Sequence, residues 1–167
     1  GMIIDIRALS NIKHYCKPNV FSASKCCCSY YEIIITTTEL NNIVDIISHA
    51  SCYSTELKKG KKFNNVFEDE GKNTYSIDKN IKGYCAFGYT GKERKILCSL
   101  HKAALDLRIP INCAKPLACI LWPLALVESD PMVLSIQDDA FTFPCNKKRT
   151  YPTTELDSGI SQNIEIA

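Results

Sequence analysis

Apolar residues recur at helical spacing in two stretches, and short β-like runs and turn signals surround both. Glu32 to Ile35 is an isoleucine-rich run that reads as a strand. Thr36-Thr37-Thr38-Glu39 then forms a capping box, with Thr36 as cap and Glu39 reaching back to it. Leu40, Ile43, Val44 and Ile47 follow on one face, which predicts a helix ending near His49 to Ser51. The second stretch starts at Ser99, a candidate cap, and carries Leu100, Ala103, Ala104 and Leu107 with Pro110 beyond its end.

Between the two helices, Lys58 to Asn73 turns to Lys, Asn, Gly and acids and reads as a mobile excursion. Lys82 to Leu97 reads as a hairpin around Gly91-Lys92. That register pairs Thr90 with Glu93, Phe87 with Ile96, and Cys85 with Cys98. Directly opposed side chains have Cβ atoms ~5 Å apart on one face, so the last pair would present two thiols together. Pro116 and Pro123 make Lys115 to Leu124 a stiff, kinked segment. Leu124–Val127, a turn at Glu128 to Pro131, and Met132–Ile136 read as a closing hairpin. The expected fold is α+β, with small antiparallel hairpins and two main helices around a cysteine-ligated metal site. Residues 1–150 read as a single cysteine-cluster metal-binding domain and 151–167 as a polar, loosely attached tail.

Composition changes this picture at one point. With 167 residues, 46% hydrophobic content and 23% charge, the chain has the makeup of a folded domain, but ten cysteines is several times the usual number. A net charge of +2 gives no strong field for nucleic acid, and the basic run Lys58, Lys59, Lys61, Lys62 reads as a solvated loop. The most apolar window, Leu117 to Val127, is shorter than the ~20 residues of a membrane span. No secretory leader is evident at Gly1 to Ser10, so the expectation is a cytoplasmic protein with reduced thiols. There, dense cysteine points to metal or redox chemistry rather than disulfides.

The cysteines contain no Cys-x-x-Cys, so a site must be assembled from remote segments: Cys26, Cys27 and Cys28, then Cys85, Cys98, Cys119 and Cys145. In an extended chain alternate side chains face opposite ways. Cys26, Cys27 and Cys28 therefore meet one ion only if the backbone turns sharply. Cys98, between a strand and a helix, would feel the positive helix end, which favours thiolate. Each thiol has a plainer reading as a small buried hydrophobe. That reading, or a surface thiol, is preferred for Cys52 and Cys113, while Cys16 is left open. His101 could complete a Cys₃His site but is read as a supporting or packing residue. His49 is read as a surface residue and Trp122 as a packing residue.

Lys25-Cys26-Cys27-Cys28, Gly83-Tyr84-Cys85-Ala86-Phe87, Cys98-Ser99-Leu100-His101-Lys102-Ala103 and Lys115-Pro116-Leu117-Ala118-Cys119-Ile120-Leu121-Trp122-Pro123-Leu124 occur in this order. The set resembles the cysteine-cluster (CxxCxxCC-type) family of zinc- or iron-chelating domains, in its uncharacterised bacterial branch. The resemblance implies that the tandem cysteines, Cys85, Cys98 and Cys119 ligate metal, with Cys145 as a further ligand. It departs at one place: where the family usually has a cysteine before its tandem pair, this chain has Ala23 or Ser24, leaving Cys26 or Cys16 to substitute.

The favoured expectation is a protein that chelates zinc, or alternatively iron or an iron-sulfur cluster, with the metal ion and an unidentified protein as partners. The alternative is an iron-sulfur or thiolate-dependent enzyme of redox or group transfer. Against catalysis, no Gly-rich phosphate cradle or nucleophile-base pairing is readable.

Overall fold

The computed structural model describes residues 1–15, 26–91, 96–151 and 153–167, and Cys16 lies outside them. In chain order the elements begin with β1 (Met2–Ile4), α1 (Ile6–Ser10), β2 (Ile12–His14), α2 (Cys27–Tyr30), β3 (Ile33–Thr36) and α3 (Thr37–Ala50). Then come β4 (Lys58–Lys59), β5 (Lys62–Phe63), β6 (Phe67–Gly71), β7 (Thr74–Ile77), β8 (Gly88–Thr90), β9 (Ile96–Cys98) and α4 (Ser99–Leu107). The last are α5 (Leu117–Leu121), β10 (Leu124–Val127), β11 (Met132–Ile136), β12 (Asn146–Lys148) and α6 (Ser158–Ile166). The class is α+β, and the chain forms two compact units: one from the described residues of Gly1–Phe21 and Ile120–Ala167, the other from those of Ser22–Cys119. No helix among the described residues is long and apolar enough to cross a membrane.

In the central unit, β3, β7 and β6 form an antiparallel sheet with β7 in the middle. Strand alternation buries Ile33 and Ile35 of β3 and turns Ile34 outward. The capping box forms as the sequence predicts. Glu39 N–H donates to Thr36 Oγ1 at 3.3 Å and Glu39 Oε2 accepts from Thr36 N–H at 2.7 Å. The α3 stripe is rotated slightly from expectation: Ile43, Ile46 and Ala50 are buried, whereas Val44 is 49% exposed. Positions i, i+3 and i+7 share a face, and Val44 lies ~100° around the helix from Ile43. Leu100, Ala103 and Ala104 of α4 complete this core. Leu107 stays outside, because Arg108 ends the helix in the left-handed conformation (φ 56).

The expected excursion at Lys58 to Asn73 is instead largely ordered as strands. β4 pairs with β5 across a turn containing Gly60 (φ 63), and β6 joins the sheet. The β6–β7 loop is Lys72-Asn73, both at positive φ (52 and 63), the combination of the primed turns that suit the natural twist of a hairpin.

In the other unit the closing hairpin has the predicted limits, pairing Leu124 with Ile136 and Val127 with Val133. β1 adds to β11 in parallel, and β2 pairs with β12. Residues expected to be a loose tail instead carry α6. Asp157 caps it, accepting from Gly159 N–H at 3.1 Å, and Ile160 is 0% exposed among Leu9, Ile12 and Leu124. An aspartate followed by spaced isoleucines was the sequence signal for this helix. Buried Trp122 stacks edge-on against Phe143, with centroids 4.8 Å apart.

Gly159 lies where a Cβ would come 2.5 Å from the backbone carbonyl oxygen of His14, so α6 approaches β2 through a glycine. Alanine usually favours a helix over glycine by about 1 kcal/mol. Gly159→Ala should nevertheless destabilise this unit, by about 1–3 kcal/mol, because the clash is with backbone. Urea unfolding followed by Trp122 fluorescence reads the effect, and an unchanged or higher midpoint would exclude this docking.

His14 is buried, and its Nδ1 lies 2.7 Å from Asn146 Oδ1. Asn146 Nδ2 donates to Ala140 O at 2.8 Å, which turns Oδ1 toward the ring and makes Nδ1–H the donor. Burial lowers the imidazole pKa, outweighing the opposite effects of Asn146 and Asp157. The unfolded chain therefore takes up this proton first, at about pH 6.5. The contribution to stability is intact above that pH and is lost as pH falls below it. The Trp122-reported midpoint should drop between about pH 7.5 and about pH 5, and less so in His14→Gln.

Candidate functional site

The sharp backbone turn that the tandem cysteines require is present. Cys26 is extended (φ −113, ψ 157) and caps α2, so Cys27 and Cys28 enter a single helical turn. Ser29 holds the corner: its Oγ accepts from Cys26 N–H at 3.3 Å and from the Cys26 thiol at 3.5 Å, and donates to Cys26 O at 3.0 Å. Cys26 and Cys28 share a thiol hydrogen bond that pushes the Cys26 pKa up, with burial adding to it. For Cys28 the contact with Cys26 works in the lowering direction. The hydrogen bond with Cys27, burial, and the Cys27 and Cys98 thiols outweigh it and raise the pKa well above the ordinary range.

Backbone bonds attach the next cysteine to this turn. Cys85 N–H donates to Cys28 O at 2.8 Å, and Lys79, which bridges to Cys85, donates through Nζ to Ser29 O at 2.9 Å. The Cys85–Cys98 pairing expected from the sequence does not form. β8 and β9 pair Gly88 with Cys98, Tyr89 with Leu97 and Thr90 with Ile96, leaving residues 91–95 between them. The expected loop residue Lys92 and pairing residue Glu93 lie outside the described residues.

The physical reason is a tight turn at residues 85–88, closed by Gly88 N–H to Cys85 O at 2.7 Å. A Cβ on Gly88 would stand 3.0 Å from that carbonyl oxygen and 3.3 Å from the Tyr84 Cβ, so glycine lets the chain fold back there. The turn still brings Cys85 toward Cys98, though not as a cross-strand pair.

Cys98, not Ser99, is the cap of α4. Ser99 is the first helical residue, and its fully buried Oγ has no hydrogen-bond partner. The Cys98 thiol is one of the causes that raise the pKa of Cys28, Cys85, Cys119 and Lys115. Burial is the main cause that lifts Cys85 and Cys119 to about 12, and Cys98 adds to both. Cys119 sits in α5, whose start is tied to α3 by Leu117 N–H donating to Glu39 Oε1 at 2.7 Å. One carboxylate thus caps α3 and anchors the Cys119 segment.

Lys115, which spacing did not reveal, belongs to the same group. Burial disfavours its charge, but Cys98, Cys119, Cys28 and Cys27 more than offset this and raise its pKa. His101 lies at the surface of α4, its imidazole held below its ordinary pKa by partial burial and then by Lys115.

The central unit thus gathers Cys26, Cys27, Cys28, Cys85, Cys98 and Cys119 from four segments, all partly buried and free of disulfides. Cys145 belongs to the other unit, where its carbonyl accepts from Tyr15 N–H at 2.8 Å. Cys52 and Cys113 are exposed. Among the described residues, no three or more His, Cys, Asp or Glu side chains stand together in an arrangement that could hold a metal ion. A cysteine thiol moves between staggered rotamers about one bond, so neighbouring thiols can change partners without backbone movement.

A second polar cluster went unread in the sequence. Asp106 on α4 accepts from Lys102 and Tyr53, and His49 Nε2 lies 3.3 Å from it. Lys102, with Tyr53 and His49, holds the carboxyl down to about 2. The Lys102/Asp106 spacing of four was the available sign. His49 is a surface residue, as expected.

Comparison of the chain with protein families, curated proteins and solved structures finds no match.

Burial keeps Cys85 and Cys119 protonated near neutral pH, and only thiolate is nucleophilic. In chelator-treated protein, iodoacetamide should label Cys52 and Cys113 well before Cys85 and Cys119. Peptide mass spectrometry resolves the order, and equal rates would show that burial does not govern these thiols.

Proposed function

We propose that this chain is a metal-chelating protein that closes thiolates from remote segments on one soft or borderline ion, zinc first and iron or an iron-sulfur cluster second. What supports the reading is that Cys85, Cys98 and Cys119 pack against one core in the central unit and that Cys85 N–H donates to Cys28 O at 2.8 Å, joining the tandem cysteines to them. Such a set suits zinc, which takes four cysteine donors in structural sites. Cys28, Cys85, Cys98 and Cys119 would hold the ion, with Cys26 and Cys27 as neighbouring donors. The bound metal would supply a positive charge that keeps these thiols ionised.

The donor chemistry fits this group. Thiols raised to about 12 are neutral when free, so a metal must displace their protons, and binding is coupled to pH and to folding. Among the described residues no three such side chains stand together so as to hold an ion, so binding would require the thiols to move. The resemblance to cysteine-cluster chelating domains supports the same reading. Reduced thiols in such number belong to a reducing compartment, which makes the cytoplasm the proposed location.

The test is metal content. Protein purified under reducing conditions and reconstituted should hold stoichiometric zinc and be colourless, whereas brown protein with visible charge-transfer absorption identifies iron-sulfur instead. Cys98→Ser should lose most of the metal and Cys113→Ser none. Metal at a thousandfold excess over Kd stabilises by about 4 kcal/mol, so chelation should lower the melting temperature. Retention of full metal content by Cys98→Ser would rule out this donor set, and a wild-type protein that takes up neither metal would end the chelation reading.

A further inference from the structure

The sheet of β1, β11 and β10 is bare where sheets are normally guarded. β11 is its middle strand, so β1 and β10 each keep one edge without a strand partner among the described residues. Natural edges are usually blunted by charge or proline, whereas Met2–Ile4, Leu124–Val127 and Met132–Ile136 contain neither. Strand alternation buries Leu134 in a core with Leu9 and Ile160, and turns the cross-strand row Ile3, Val133 and Val127 to the opposite face. On the core side, Ile4 and Leu126 flank Leu134 in register, and Met2 pairs with Met132. Met2, Ile3, Ile4, Leu126, Val127 and Met132 are nevertheless all between 40% and 51% exposed. β1 is exposed at every position, whereas β10 begins at buried Leu124, beside Trp122, whose carbonyl accepts from Asn163 Nδ2 of α6 at 2.6 Å. The open edge is therefore β1.

We propose that this edge is a self-association surface: β1 of one protomer pairs antiparallel with β1 of a second copy, joining two three-stranded sheets into one of six strands. The surface is separate from the thiols and does not depend on metal. Six residues at this exposure present roughly 500 Å² of apolar surface, a size at which patches mark interaction sites. It matches the apolar share of the ~800 Å² that each partner buries in a stable interface. A strand related to its copy by a two-fold axis runs antiparallel to it, so the free backbone groups of β1 are complementary to themselves. With no charge on the three strands, the patch has nothing that selects a partner of opposite charge. The exposed acids Glu128 and Asp130, in the turn between β10 and β11, disfavour an anionic lipid surface as the occupant.

Sedimentation velocity of the whole chain under reducing conditions reads the oligomeric state, and amide hydrogen exchange reads the edge. The expected result is a monomer–dimer equilibrium with a Kd of about 1–100 µM. The amides of Met2 to Ile4 should be protected at high concentration and exchange on dilution. Ile3→Lys places a charge on the paired edge and should weaken the dimer at least about tenfold. Ile81→Lys, at an exposed position of the central unit outside the patch, should leave it unchanged. Trp122 fluorescence checks that each variant folds, and Ile3→Thr, which keeps strand propensity, serves if Ile3→Lys does not. A wild type that stays monomeric up to about ten times the upper end of that Kd range overturns the proposal. So does a dimer that survives Ile3→Lys at full strength, and so does binding to phosphatidylcholine–phosphatidylserine vesicles in place of dimerisation.

Discussion

The hydrogen bond from the Cys85 amide to the Cys28 carbonyl, 2.8 Å long, is the joint of the thiol cluster. It fastens the turn that carries Cys26, Cys27 and Cys28 to the segment that leads through Gly88 to Cys98. A single neutral hydrogen bond stabilises by only about 1 kcal/mol net. Its importance here is placement, since it joins residues far apart in the chain and Lys79 reinforces it by donating to Ser29 O. On the other side, Glu39 performs the same task by capping α3 and receiving the Leu117 amide, which sets the start of the Cys119 helix.

Electrostatics then makes the cluster an unusual place. Packing thiols against an apolar core pushes them toward the neutral form, and the Cys98 thiol adds to this at Cys28, Cys85 and Cys119. Lys115 works the other way on Cys119, lowering its pKa. Burial holds Cys85 and Cys119 in the protonated form near neutral pH, against the opposing pull of Lys115 on Cys119. On the proposed reading a metal ion tips that balance and replaces thiol protons with a bond network that spans the central unit. The same logic explains why the site is divided among loops and helix ends. Cys26 and Cys98 are both helix caps, positions where backbone N–H groups are not used inside the helix.

Local features of the sequence were legible. The capping box at Thr36 and Glu39 and the closing hairpin depend on residues within a few positions of one another and formed where the pattern placed them, and the α4 helix formed with its cap one residue earlier than expected. The α6 helix has a readable aspartate cap, but the polar composition around it hides the buried position of Ile160. The β8–β9 register was missed for a different reason. Turn residues alone favoured a loop at Gly91, whereas the close approach of Gly88 to the Cys85 carbonyl moved the pairing.

The sequence by itself determined which side chains could do chemistry, and it determined that no short motif could bring them together. It also showed that Cys26, Cys27 and Cys28 could not converge on an extended backbone. Tertiary structure decided that the backbone turns there, that Cys85 joins Cys28 through a backbone hydrogen bond, and that Cys85, Cys98 and Cys119 pack against one core. Helix caps and hairpin turns are set by neighbours in the chain, so they can be read along it. The surroundings of a thiol are set by segments tens of residues away, and only the packed core determines which of these meet.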